Sequence, residues 1–244
     1  MVNLLYTEML KLKRAKMFLV SVIGASAAPI MMFIGFLNMK SQQPDTAITF
    51  ELSFYNTNMY ILLLIGNLLY GVITAFLFNR EFTEDTLKNL LTIPVSRTGL
   101  IVSKMVMLFL WIMALTLVAW GLTFVLALVG QFEGLSTGVL LQSLKQYTLG
   151  AGLLFLLSTP TMFVTFLFKN YVPTIIFTSV ITMINVALAD KKYSALFPWS
   201  AAHVIGDHAF FPEYPPSYSY LAIIITSIAG FIATVLYFRK VDIH

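Results

Sequence analysis

The chain has 244 residues, 59% of them hydrophobic and only 11% charged, with a mean hydropathy of +0.86; ordinary globular chains carry roughly 25% charge, which excludes a soluble domain. Zero cysteines exclude disulfides and thiolate metal sites, and the net charge of +4 reflects the side of a membrane on which the basic residues fall, not a nucleic-acid partner. Uncharged runs at 17–39, 52–79, 105–132, 146–168, 170–189 and 214–238 each reach the ~20 residues that cross a ~30 Å hydrocarbon core as a helix.

In chain order, Val2, Leu5, Met9 and Leu12 fall on one helical face and Asn3, Thr7, Lys11 and Arg14 on another. This predicts an interfacial helix over 1–16 lying on the cytoplasmic leaflet. The following MFLVSVIG and Ala25-Ser26-Ala27 look like a signal peptide with its cleavage site. Apolar residues nevertheless continue through Pro29, Met31, Phe33 and Leu37, so the segment is expected to remain as the first span, 17–37. A second span is expected at 57–78, with Asn67 inside it.

The stretch 79–97, NREFTEDTLKNLLTIPVSR, breaks the pattern. Together with Lys104 it holds 7 of the 26 charged side chains, whereas 52–79 and 105–132 hold none. Glu81, Glu84 and Asp85 sit early and Lys88 later, as a helix dipole favours, and Glu84 with Lys88 is an i,i+4 pair. Leu87, Leu90 and Leu91 form an apolar ridge extended toward Phe82, and Pro94 ends the helix. A solvated loop needs no such ridge. The ridge has to bury against the chain's own spans or in a partner's groove.

A third span is expected at 104–129, containing Thr116 and Trp120, then a short external helix near 134–144. The fourth and fifth spans, 147–168 and 172–189, form a tight hairpin turned by Lys169-Asn170-Tyr171-Val172-Pro173. Asn185 lies in the fifth; Pro29 and Pro160, inside spans one and four, read as packing kinks. Residues 190–219 are too apolar for a free loop and too interrupted for a span. They are expected to lie on or dip into the outer leaflet, with Trp199 at the headgroup boundary, before a sixth span at 220–238. With the N-terminus inside, eleven basic residues are cytoplasmic and four external, which fits the positive-inside rule and puts both termini in the cytoplasm. The fold class is therefore an all-α integral membrane protein, a single six-helix domain over 1–244.

No GxxxxGK[ST] run is present, so ATP, if used, is bound by another polypeptide; HExxH and paired intramembrane acids are absent too. His203, Asp207, His208 and Glu213 cluster in the 190–219 segment. Polar surface or loop hydrogen bonding is the better reading of them than a metal site, because the spacing of the two histidines does not place both on one helical face. Asn67, Thr116, Trp120 and Asn185 either hydrogen-bond across helices, at about 0.6 to 2 kcal/mol each, or line a substrate path. None is costly enough in lipid to demand the second explanation.

At 79–97 the chain resembles the permease subunits of ABC-2 transporters, whose loop between spans two and three carries an acid, T-L, an apolar ridge and P-x-S-R. Here these are Glu81, Thr86-Leu87, Leu90-Leu91 and Pro94-Val95-Ser96-Arg97, with Lys104 opening the next span. The resemblance implies a coupling helix, with Glu81, Phe82, Thr86, Leu87, Leu90, Leu91, Pro94 and Arg97 engaging a separate ABC ATPase. It further implies two ATPase copies that hold the ATP and Mg, a second permease copy or a related permease, and a location in a bacterial plasma membrane. The chain itself would then be non-catalytic and bind no cofactor. The TLKNLLTIPVSR wording resembles bacterial permeases for bacitracin or lantibiotic self-protection, which implies a hydrophobic or amphipathic cargo such as a peptide antibiotic, or protection of its lipid-linked target. Lipid or polysaccharide export is the alternative within the family. A self-contained ion-driven carrier or channel is the alternative outside it, against which the lack of buried acids and bases counts; a membrane enzyme using the His203 group is a third.

Overall fold

The computed structural model describes residues 16–43, 46–83, 97–189 and 191–240. Among them there is no β-strand, only an isolated bridge between Thr49 and Glu133, and six helices are long and apolar enough to cross a membrane. The helices are α1 (Met17–Gln42), α2 (Phe50–Tyr60), α3 (Gly66–Thr83), α4 (Arg97–Val129), α5 (Thr137–Leu156), α6 (Ser158–Phe168), α7 (Tyr171–Leu188), α8 (Pro198–Gly206) and α9 (Pro216–Lys240). A π-helical segment, Ile61–Ile65, fuses α2 and α3 into the second span. α5 and α6 form the fourth span, and α1, α4, α7 and α9 are the first, third, fifth and sixth. Residues 1–15, the expected interfacial helix among them, lie outside the described residues.

Successive spans alternate in direction. One end of the bundle, the charged end, carries Lys16, the approach to 79–97 and the Lys169–Asn170 turn; the opposite end carries 46–49, 130–136 and 191–215. Local chemistry sets the helix starts. The Thr49 hydroxyl accepts from the Leu52 N–H at 3.2 Å, the Ser136 hydroxyl from Val139 N–H at 3.2 Å, and Asn170 Oδ1 from Val172 N–H at 3.1 Å. Each satisfies a donor that the first helical turn leaves open. Lys169, at φ 49°, ends α6 in the left-handed conformation, so the expected hairpin turn takes only two residues between α6 and α7.

Two helices begin well before the hydropathy suggests. The fourth span starts at Thr137, so no separate helix exists near 134–144; Gln142, Ser143, Lys145 and Gln146 interrupt the apolar run but not the helix. The second begins at Phe50. Pro160 breaks the fourth span at Leu157, whereas α1 runs unbroken through Pro29. Lacking an N–H, Pro160 leaves the Leu156 carbonyl open, and it accepts instead from Thr159 Oγ1 at 3.1 Å. The sixth span packs into the bend: the one Thr159 hydroxyl hydrogen is shared with the Ser227 carbonyl, at 2.7 Å, and Gly230 lies against Pro160.

The residues expected at the outer leaflet form a plug. α8 opens with Pro198 at its first turn, and Ala201, Ala202, Val204 and Ile205 are all fully buried among the second, fourth and sixth spans. Trp199, expected at a headgroup boundary, is buried against Phe177 of the fifth span, ring centroids 6.2 Å apart.

Candidate functional site

Glu81 and Phe82 occupy the last turn of α3, and Arg97 is the first residue of α4. Thr86, Leu87, Leu90, Leu91 and Pro94 lie in 84–96, outside the described residues. Lys104, one of the few charges within a span, is buried and donates through Nζ to the Leu77 carbonyl at 2.8 Å. This ties the third span to the second just inside the charged end. A row of rings braces the same level: Phe78 meets Phe166 at 5.6 Å and Phe166 meets Phe238 at 5.0 Å, joining the second, fourth and sixth spans.

The four polar residues inside the spans each join a pair of elements. Asn67 Nδ2 donates to Thr182 Oγ1 at 2.6 Å and lies 3.4 Å from the Thr178 carbonyl, in the seam between the second and fifth spans. Asn185, in the same seam, donates to the Leu63 carbonyl at 3.2 Å and accepts from Ser200 Oγ of α8 at 2.7 Å. Leu63 belongs to the π segment, where the Gly66 N–H reaches back to Ile61 and the carbonyls leave their ordinary i,i+4 register. Thr116 donates to the Ile112 carbonyl at 2.8 Å and meets the Tyr70 hydroxyl at 3.1 Å, between the third and second spans. Trp120 donates to Ser143 Oγ at 2.9 Å, between the third and fourth, and stacks with Phe54 and Phe124. The void beside Asn67 measures about 10 Å³, about the minimum for one water. The four residues are spread over three seams.

At the opposite end, the His203 group divides. His203 Nδ1 lies 2.9 Å from Asp207 Oδ2, and Asp207 Oδ1 accepts from Asn58 Nδ2 at 2.8 Å; all three are buried. His208 and Glu213 are exposed, and the described residues hold no cluster of three or more His, Cys, Asp or Glu fit for a metal. Hydrogen bonding is thus what the histidine–aspartate pair does, but inside the protein, where it fastens the end of α8 to α2. The i,i+4 spacing of His203 and Asp207 was a sequence signal for the pair; the partner Asn58, 149 residues away, had none.

Residues 4–185 match the family described as ABC-2 family transporter protein, so the match stops short of α8 and the sixth span. Over 205 residues, 84% of this chain and 99% of the relative, the sequence is 58% identical to the bacitracin transport permease protein BCRB of Bacillus licheniformis.

Proposed function

The chain belongs to the ABC-2 transporter family, and from that premise we propose that it is one half of the membrane part of an exporter for bacitracin-like peptide antibiotics. As an ABC-2 permease it is a multi-pass cell-membrane protein, a non-catalytic component that associates with an ABC ATPase. The observation that carries the cargo is the 58% identity to a bacitracin permease across 84% of the chain. In this reading two ATPases hold the ATP and Mg, and a second permease, identical or related, completes the path. The charged end faces the cytoplasm, in keeping with eleven of fifteen basic residues on that side.

The coupling contact is assigned to 79–97. Glu81, Phe82 and Thr86 start the segment, Leu87, Leu90 and Leu91 give the ridge that buries in the ATPase, and Pro94 with Arg97 turns the chain into the third span. Movement of that segment acts on α3 and α4 directly, because Lys104 holds the two together. The bonds of Asn67 and Asn185 then carry the second span's displacement to the fifth span and α8. Leu87→Asp with Leu90→Asp is expected to abolish copurification of the ATPase while the protein still inserts. Cells expressing the unaltered pair are expected to tolerate several-fold more bacitracin than cells with the double variant. ATPase retained by the double variant would refute the coupling assignment; unchanged bacitracin susceptibility with the unaltered pair would refute the cargo.

A further inference from the structure

We propose that a cavity of about 350 Å³ at the end opposite the charged one, between the start of α2 and the first half of α5, binds a primary ammonium group carried on an apolar body. The volume falls within the roughly 300–1,000 Å³ of small-molecule sites. Among the described residues, Glu51 is the one carboxylate lining it, and no Lys or Arg does. Gln142 and Gln146, one helical turn apart on α5, line it together with Glu51 and Tyr55. A carboxylate, two carboxamide oxygens and a phenol oxygen are acceptors suited to the three N–H donors of an ammonium. The apolar side of the cavity is Leu52, Phe54 and Val139, which suit an apolar body beside the ammonium.

The cavity wall is built, not improvised. Tyr147 donates to the Phe54 carbonyl at 3.2 Å, Phe54 stacks on Trp120 at 5.8 Å, and Trp120 holds the lining Ser143 at 2.9 Å. Such preorganisation lowers the ordering cost of binding. Glu51 in the first turn of α2 also suits the helix dipole. That accounts for an acid there, but not for two glutamines lining the same space. The site sits on the helix that leads through Asn58 and the π segment to 79–97, so an occupant touches the element the ATPase is assigned to move. Its meaning for transport rests on the permease reading; its binding is measured on the chain alone, so that failure of one leaves the other standing.

An ammonium of this kind comes either from a peptide amine or from a phosphatidylethanolamine headgroup. The test is calorimetric titration of leucyl-phenylalanine amide into the full chain in phosphatidylglycerol nanodiscs, with empty discs subtracted. Saturable binding is expected, weakened at least tenfold by N-acetylation of the probe or by Glu51→Gln, and less by Gln142→Leu. In discs containing phosphatidylethanolamine, a loss of apparent affinity for the probe identifies the headgroup as the resident ammonium; unchanged affinity identifies the peptide amine. Equal binding of the acetylated probe, an affinity unchanged by Glu51→Gln, or no saturable heat in phosphatidylglycerol discs overturns the proposal.

Discussion

Gly230 shows how a single residue sets the packing of two spans. A Cβ placed there would fall 2.5 Å from the Pro160 nitrogen and 2.8 Å from the Thr159 carbonyl carbon, which are backbone atoms at the bend of the fourth span. At Gly24 the nearest atom is Leu69 Cδ1 at 2.9 Å, the free end of a side chain that can rotate away. Overpacking a rigid contact costs about 1–3 kcal/mol. Gly230→Ala is therefore expected to lower the thermal midpoint of the detergent-solubilised protein by several degrees, and Gly24→Ala by much less. Equal shifts in the two variants would mean that the sixth span does not seat in the Pro160 bend as described. Pro160 itself was legible in the sequence as a kink; Gly230 as its partner was not, because nothing local marks a residue 70 positions away.

Among the elements, the second span carries the most unusual feature. Its π segment, Ile61–Ile65, reads ILLLI, a uniformly apolar run with no turn or proline to betray a change of register. What stabilises it comes from elsewhere, through Asn185 on the Leu63 carbonyl. Asn185→Leu leaves that carbonyl and the Ser200 hydroxyl without their partner, a loss of about 0.6–2 kcal/mol in a membrane protein. The expected result is a lower thermal midpoint together with faster amide hydrogen exchange in 61–66. Exchange there unchanged from the unaltered chain would show that the π segment holds itself. The six spans were legible because charge is excluded so sharply from them, and an apolar run of that length has few other uses. Helix ends were not: Gln142, Lys145 and Gln146 lower hydropathy but favour helix, so the fourth span outran its apolar stretch. The burial of α8 was not legible for the opposite reason, since its apolar side chains are equally at home in an outer leaflet.

For the whole molecule, the parts line up along one column. The ammonium cavity, Asn58 with its buried Asp207, the π segment, Asn67 and the seat of 79–97 follow one another down the second span. The sequence marked one extreme of that column, the charged stretch, by composition, and the span itself by hydropathy. It did not mark the joints between, which depend on Thr182, Ser200 and Asp207, residues distant in the chain. The central claim is that a separate ATPase drives this bundle through 79–97 to move a bacitracin-like peptide. The most direct measurement is ATP hydrolysis by nanodiscs holding the chain with its ATPase, titrated with bacitracin. The account predicts a several-fold rise that saturates with the peptide and disappears with Leu87→Asp and Leu90→Asp; hydrolysis indifferent to both the peptide and the double substitution would contradict it.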